Sequence, residues 1–285
     1  MPPLNDFLIN YPSTLDRIDL ELILAHALKK SREFILTYLE TKITKNQEAL
    51  ILKMIARRKK HEPIAHIIGE KDFYYLTFKV NKHTLIPRPE TELLVDNILA
   101  DTTIQNANSI IDIGTGSGNI IISLAHNLKN KKINYFGVDI SNEALKIAKY
   151  NAKKYNLDKK IKFTKGNLLT PFARKNFLKN ANTIIVANLP YLSKEIYSAT
   201  KSDVKKYEPK TALYSPENGL AHYKKLFEQI NLLGMRYGIK KVFIEFSPEQ
   251  KNTLALLIKN TLPKTQTHFK KDLAKKWRVC TIDLL

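Results

Sequence analysis

The sequence of 285 residues contains only one cysteine and one tryptophan. A single cysteine, Cys280, excludes an internal disulfide and any metal site built from several cysteines, and this scarcity is typical of the reducing cytoplasm. No stretch approaches the roughly 18 consecutive apolar residues that a membrane-spanning helix requires. The first residues, MPPLNDFLINYPS, lack both the basic region and the apolar core of a signal peptide. We therefore expect a cytoplasmic protein that contains no metal centre and crosses no membrane.

Acidic residues are also scarce: 27 aspartates and glutamates face 47 lysines and arginines, which gives a formal net charge of +20. Such a charge attracts polyanions, and nucleic acid is the first partner to consider. The lysines, however, are spread over the whole chain and are not gathered into one segment. We interpret them as a solvated surface that binds nucleic acid at most weakly and without sequence specificity.

Residues 1–70 carry helical patterns and indicate a small N-terminal helical bundle. In LDRIDLELILAHALKK the apolar residues near helical spacing are Ile18, Leu22, Ala25 and Leu28. The stretch DFYYLTFKVN, residues 72–81, changes to an aromatic-rich pattern typical of a strand, which we interpret as half of a β-hairpin. We place that hairpin in a linker of residues 71–90.

The remaining residues, 91–285, alternate between strand and helix patterns. Short runs rich in isoleucine and valine predict strands at residues 109–113, 133–139, 161–164, 183–187 and 241–246. Helical segments between such strands indicate a mostly parallel sheet that is covered on both faces. The tail, QTHFKKDLAKKWRVCTIDLL, has the pattern of two further strands that form an antiparallel hairpin at the edge. We therefore predict a doubly wound α/β domain with a seven-stranded, Rossmann-like sheet.

A glycine-rich loop follows the first of these strands in IIDIGTGSGNIIISLAHNL. Glycines let the backbone turn sharply and approach a ligand beside a helix N-terminus. Dinucleotide-binding and methyl-donor folds share such loops, but the alternating glycines here do not follow the dinucleotide spacing Gly-x-Gly-x-x-Gly. The acid before the loop suits a sulfonium with an amino-acid tail better than a pyrophosphate. The predicted donor-binding residues of this segment are Asp112, Gly114, Thr115, Gly116, Ser117 and Gly118.

Two further strand ends carry polar residues that suit a nucleoside. Asp139 ends the strand in YFGVDIS, 21 residues after Gly118, where α/β nucleoside binders place an acid that accepts hydrogen bonds from ribose hydroxyls. A helix cap is the alternative role for this aspartate. In FTKGNLLTPF, we expect Asn167 to meet the adenine edge and Leu168 or the next leucine to lie against its face.

The fourth strand ends in VANLPYL, which resembles the Asn-Pro-Pro-Tyr-like motif of methyltransferases that act on planar nitrogens. An amide nitrogen is a poor nucleophile because its lone pair is delocalised. The site must therefore accept its N–H protons and hold it in line with the donor methyl group. We expect the Asn188 side chain and nearby backbone carbonyls to accept those protons, while Tyr191 stacks on the flat group. The predicted catalytic and substrate-binding residues are Asn188, Leu189, Pro190 and Tyr191.

Four longer stretches resemble the protein-(glutamine-N5) methyltransferases of the HemK/PrmC type. They are HEPIAHIIGEKDFYYLTFKVN, LIPRPETELLVDNIL, TALYSPENGLAHYKKL and KKDLAKKWRVC, so the resemblance extends over essentially the full chain. It implies that S-adenosylmethionine is the cofactor. It also implies that the substrate is the glutamine of the Gly-Gly-Gln motif in class I peptide chain release factors, recognised by the N-terminal helical domain. We further expect a monomer.

The chain departs from the family pattern at two predicted site residues. Leu189 stands where the family usually has a proline; it preserves the backbone carbonyl but removes one rigid ring. Asn167 stands where an acid is commoner, so the adenine contact differs. Arg88 and its neighbours in RPETE are expected to shape a loop over donor and substrate, and the glutamate of FIEFSPEQ has no assigned role.

Two other functions stay open from the residues alone. The first is an adenine-N6 methyltransferase that acts on DNA or RNA, which the net charge favours. It would need a nucleic-acid module, and residues 1–70 lack an interleaved aromatic and basic pattern. The second is a protein that binds the methyl donor without catalysis, for which the sequence offers no specific feature.

Overall fold

The chain divides into two compact units. The computed structural model describes residues 2–10, 15–128, 132–173 and 182–284. One unit comprises Met1–Glu70 with Lys201–Tyr207, and the other comprises Lys71–Thr200 with Glu208–Leu285. Within the described ranges, no helix combines the length and apolar character needed to cross a membrane.

The first unit is helical. Its N-terminal part contains α1 (Leu4–Asn10), α2 (Arg17–Leu28), α3 (Arg32–Thr37), α4 (Lys45–Lys59) and α5 (Ile64–Ile68). Side chains define where these helices begin: Asp16 accepts a hydrogen bond from the backbone N–H of Ile18, and Thr44 and Gln47 form a capping box. Buried apolar residues of α2 and α4 form a core of their own.

The four apolar residues that we found near helical spacing in α2 are not equally buried. Ile18 is exposed and Leu22 is only partly buried, whereas Leu20, Ile23 and Leu24 are almost completely buried. The helix is apolar enough that more than one stripe fits the helical period, and packing against later helices decides which one is buried. Spacing within α2 contains no information about that packing.

The stretch that we predicted as one strand, residues 72–81, contains a turn. A two-stranded hairpin consists of β1 (Glu70–Phe73) and β2 (Leu76–Lys79). Tyr74 and Tyr75 connect the strands with φ angles of 49° and 62°, the sign that a tight type I′ turn requires. The turn lacks the usual asparagine or glycine. Tyr74 is held by Glu92, which accepts from its backbone N–H, and by Asp96, which accepts from its hydroxyl.

A seven-stranded sheet forms the second unit and confirms the predicted fold class. Its strands are β3 (Ser109–Ile113), β4 (Asn134–Asp139), β5 (Ile161–Lys165), β6 (Thr183–Ala187), β7 (Ile239–Glu245), β8 (Thr265–Lys271) and β9 (Trp277–Leu284). They lie in the order β5-β4-β3-β6-β7-β9-β8, with antiparallel pairing only at β9 and β8. The other helices of this unit are α6 (Glu92–Leu99), α7 (Asn119–Asn127), α8 (Asn142–Lys154), α9 (Lys194–Ala199), α11 (Pro216–Gly219), α12 (Ala221–Tyr237) and α13 (Lys251–Thr261), whereas α10 (Ser202–Tyr207) belongs to the first unit.

The strand register brings the loops that follow β3, β4 and β6 to one edge of the sheet. Ile113 pairs with Val138 of β4 and with Ala187 of β6. The chain therefore leaves β3, β4 and β6 at the same level. Between β3 and β6 the strand order reverses direction, which is where open α/β sheets form their ligand crevice.

Candidate active site

A cavity of about 300 Å³ lies at this edge of the sheet. Most of the predicted site residues line it, namely 114–117, Asp139, Asn167, Leu168 and 188–190. Gly118, Asp112 and Tyr191 do not. Residues that we did not predict also contribute, including His83, Ile140 and His222. The cavity thus combines a glycine-loop backbone, a carboxylate, three asparagines and apolar side chains.

The glycine loop depends on backbone conformations that favour glycine. Gly114, Gly116 and Gly118 have φ angles of 74°, 55° and 80°. Gly118 precedes α7, and a Cβ atom there would lie 2.9 Å from Ile122 Cδ1. A Cβ at Gly116 would meet nothing closer than 3.9 Å. Gly118 is therefore required for helix packing, while the backbone of Gly116 borders open cavity.

Asp139 joins the glycine loop to the next helix. Its carboxylate accepts the backbone N–H of Gly116 at 2.9 Å and that of Ser141 at 2.8 Å. Burial raises its pKa, and these backbone hydrogen bonds oppose that effect. Because a carboxylate can accept about four hydrogen bonds, two positions remain for hydroxyls of a ligand. Capping and ligand binding are therefore compatible in this residue.

Asp139→Ala is expected to weaken donor affinity by roughly 1–3 kcal/mol, since a charge-assisted hydrogen bond is lost. Titration calorimetry with S-adenosylmethionine measures this directly. Ser193→Ala is the matched control, because it removes a helix-cap hydrogen bond, to the N–H of Ile196, at a residue that does not line the cavity. It should lower stability by about 1 kcal/mol and leave donor affinity unchanged. An unaltered dissociation constant in the Asp139 variant would restrict this residue to capping.

Asp112 lies outside the cavity lining and is fully buried. Its Oδ2 atom accepts a hydrogen bond from the hydroxyl of Thr115 at 2.7 Å, and Oδ1 has no hydrogen-bond partner in the described parts of the chain. Burial raises the pKa of Asp112 to about 7, opposed by the Thr115 hydrogen bond and increased further by the charge of Asp139. We predicted a donor contact for Asp112; the structure instead places it against a residue of the loop.

The raised pKa of Asp112 predicts a stability that falls with pH. In the folded state the carboxyl binds its proton up to about pH 7, whereas in the unfolded chain it releases it near pH 4. The contribution of Asp112 to the free energy of unfolding is therefore greatest at low pH and is lost as pH rises through 7. Between pH 5 and pH 8 the protein loses about 2 kcal/mol of this contribution.

Asp112→Asn removes that dependence, because its carboxamide does not titrate. In urea unfolding, the variant should gain about 2 kcal/mol relative to the wild type when the pH is raised from 5 to 8. Asp158→Asn, at an exposed position, provides the control for a general charge effect. Identical pH profiles for the wild type and the Asp112 variant would contradict the assignment.

Asn188, directly after β6, belongs to a buried hydrogen-bond network. Its Nδ2 atom donates to Glu245 Oε2 at 3.0 Å and to Thr91 Oγ1 at 3.1 Å. The hydroxyl of Tyr191 donates to Glu245 Oε1 at 3.0 Å. One carboxylate therefore holds two side chains of the predicted acceptor motif. The negative charge of Glu245 adds to burial in raising the pKa of Tyr191, so that its hydroxyl keeps its proton.

Glu245 ends β7 and is completely buried. Burial raises its pKa, and hydrogen bonds from Thr91 and Tyr191 oppose that effect. Its backbone carbonyl accepts from the hydroxyl of Tyr223, which in turn accepts from the backbone N–H of Leu189. Sequence reasoning gave this glutamate no role. A signal was present, because it is a charged residue at the end of an apolar strand, as Asp139 is.

The loop that contains Arg88 is tied down by a second buried carboxylate. Glu208 accepts the backbone N–H of Ile86 at 2.9 Å and pairs with the Arg88 guanidinium at 2.5 Å. Arg88 also lines the cavity. No group of histidine, cysteine, aspartate and glutamate suitable for a metal ion occurs among the residues that the structure describes.

Residues 6–69 match the PrmC N-terminal domain family, and residues 104–213 match a methyltransferase domain family. The release factor glutamine methyltransferase of Dictyoglomus turgidum is 36% identical over 244 residues, or 85% of this chain and 82% of that protein. The protein of the same name from Mycoplasma mycoides is 33% identical, over 93% and 92% of the two chains. The N-terminal domain of human METTL16 in complex with SAH has a TM-score of 0.51, 14% identity and coverage of 92% and 94%. That solved structure supports the fold alone.

Proposed function

Because the chain belongs to the family of release factor glutamine methyltransferases, we propose that it methylates the side-chain nitrogen of a glutamine in class I peptide chain release factors. The acceptor is the glutamine of the Gly-Gly-Gln motif. The observation that carries this proposal is the position of Asn188: the residue lines the cavity together with the glycine loop, and its amide nitrogen donates a hydrogen bond to Glu245. We propose that the reaction takes place in the cytoplasm, because release factors act there.

S-adenosylmethionine is the methyl donor, and the residues of the cavity fit its parts. The glycine-loop backbone has room for the amino-acid tail, and Asp139 retains acceptor capacity for ribose hydroxyls. Leu168, Ile140 and Asn167 line the cavity and offer apolar and amide surface for a base. When bound, the donor supplies an electrophilic methyl group.

The residues of the acceptor motif hold the amide rather than deprotonate it strongly. Asn188 Oδ1 and the backbone carbonyl of Leu189 accept the two N–H protons and turn the nitrogen toward the donor. When bound, the donor would supply the methyl group from its sulfonium sulfur, and the amide nitrogen that receives it would release one N–H proton to solvent. Positioning two reactants in line supplies much of the acceleration in such a site. Tyr191 supports the motif through its hydrogen bond to Glu245.

The helical unit is proposed to recognise the release factor. Its support is the match of residues 6–69 to the PrmC N-terminal domain family, together with an apolar core of its own. The adenine alternative rests on net charge, which is a sequence-independent attraction and selects no base. The curated relatives favour the amide acceptor.

Transfer of labelled methyl from S-adenosylmethionine to a purified class I release factor tests the function. A parallel sample carries the Gly-Gly-Ala form of the motif, and a third contains mixed DNA and RNA. We expect label only on the factor with the intact Gly-Gly-Gln motif. Label on nucleic acid instead would refute the amide acceptor and support adenine.

A further inference from the structure

We infer that Glu245 is a positioning residue that fixes the orientation of the Asn188 side-chain amide, so that its oxygen faces the methyl acceptor. This inference rests on the proposed function, since it explains how that site receives an N–H donor. The two ends of an asparagine amide have nearly the same shape but opposite hydrogen-bonding character. An acceptor nitrogen bearing hydrogens is held by the oxygen and repelled by the NH₂ group. The site therefore needs a neighbouring group that stabilises one of the two orientations of the Asn188 amide.

The buried carboxylate supplies that selection. An ionised glutamate only accepts hydrogen bonds, so its Oε2 atom pairs with the NH₂ end of Asn188 and not with the oxygen. Rotating the amide by 180° would bring its oxygen to about 3 Å from a carboxylate oxygen, with no proton between them. Asn188 Oδ1 accepts no hydrogen bond in the described parts of the chain, and Asn188 is one of the residues that line the cavity.

Burial raises the pKa of Glu245, and other contacts oppose that effect by favouring the ionised, acceptor-only state. Tyr191 donates to Oε1, and a Thr91 hydroxyl that accepts from Asn188 also donates to the carboxylate. Arg278 contributes a positive charge nearby. The main chain is fixed as well, because the Tyr223 hydroxyl bridges the carbonyl of Glu245 and the N–H of Leu189. Both ends of the Asn188–Glu245 hydrogen bond are thus anchored.

A consequence of this orientation is selection of the acceptor's chemistry. A primary amide presents N–H groups to Asn188 Oδ1 and satisfies it. A glutamate in the acceptor position would bring a carboxylate against an oxygen, leaving both without a donor. Glu245 therefore contributes to the preference for glutamine although it does not line the cavity.

Exchanging the two side chains tests the inference without changing their shapes. In Asn188→Asp, two carboxylates face each other, and kcat should fall at least about tenfold at pH 8.5, where a shared proton is least available. In the double variant Asn188→Asp with Glu245→Gln, the new NH₂ group donates to residue 188, whose second oxygen again faces the acceptor. We expect kcat to recover at least about tenfold over Asn188→Asp, with donor affinity unchanged throughout.

Two further variants separate positioning from general stability. Glu245→Met keeps the length of the side chain but removes both acceptor atoms, and kcat should fall about 100-fold with little change in donor dissociation constant or melting temperature. Combining Asn188→Asp with Glu208→Gln neutralises a different buried carboxylate and should give no recovery. Glu208 is the matched control because it is also buried and paired.

The outcomes distinguish the inference from the function on which it rests. The positioning role is supported if kcat recovers when Asn188→Asp is combined with Glu245→Gln but not when it is combined with Glu208→Gln. A folded, donor-binding double variant without recovery overturns it, as does a Glu245→Met enzyme with wild-type kcat. If the wild-type protein leaves the release factor unlabelled, the proposed function itself fails and the inference fails with it.

Discussion

Asn188→Ala is expected to lower methyl transfer by about 100- to 1,000-fold while the dissociation constant of S-adenosylmethionine stays within a few-fold. In the proposed site, the oxygen that is lost holds the acceptor amide, whereas the donor is bound by the glycine loop and Asp139, which line the same cavity. The variant also leaves Glu245 Oε2 without the NH₂ donor that it now accepts from. Single-turnover kinetics with a class I release factor, together with calorimetric donor binding, measure the two effects separately.

Asn167→Ala is the matched control for this prediction. Asn167 is the other predicted asparagine that lines the cavity, and it follows β5 on the donor side of the sheet. Its removal should weaken donor affinity and leave the rate at saturating donor nearly unchanged. If Asn188→Ala instead weakens donor binding strongly, the acceptor role of Asn188 is wrong. A thermal melt of each variant excludes unfolding as the cause.

Gly219→Ala is expected to cost more than about 3 kcal/mol of stability and to disrupt the acceptor motif. Gly219 has a φ of 85°, and a Cβ there would lie 2.0 Å from the backbone oxygen of Tyr191. That oxygen also accepts a hydrogen bond from Gln250, whose side chain would be only 2.3 Å from the new atom. The clash between the new Cβ atom and this oxygen can be relieved only if the backbone at Tyr191 moves. Urea unfolding and kcat should therefore change together.

Gly69 allows the strain and the clash to be measured separately. It follows α5 with the same φ of 85°, but a Cβ there would meet nothing within 4 Å. Gly69→Ala should therefore lower the free energy of unfolding by only about 1 kcal/mol, because alanine disfavours the left-handed backbone conformation. Equal losses in the two variants would show that backbone conformation alone explains Gly219.

Much of the site could be predicted because parallel strands end at a common edge. Once the alternation of strands and helices was recognised, Gly114, Asp139, Asn167 and Asn188 had to lie near one another, each at or just after the end of a strand. The fold class follows from the same alternation. Local pattern and spacing along the chain contain this information, so no knowledge of contacts was needed.

Features that depend on distant partners could not be predicted. Glu245 is 57 residues from Asn188, and nothing local indicates that the two side chains meet. The turn at Tyr74 is hidden because tyrosines favour strands and its stabilising acids lie in α6. The buried face of α2 depends on packing against helices that follow it. In each case the interaction that determines the local structure is made with residues outside the segment that carries the sequence pattern.

Leu189, which stands where the family usually has a proline, connects the acceptor motif with the glycine loop. A Cβ at Gly114 would lie 3.0 Å from Leu189 Cδ2, so the leucine side chain packs directly over the glycine loop. We expect a displacement of that loop by a bound donor to move the residue next to Asn188. If the acceptor in turn displaces Leu189, thermodynamic reciprocity requires that donor and acceptor change each other's affinity by the same factor. The packing of one leucine methyl group on the glycine loop thus predicts coupled binding of the two ligands.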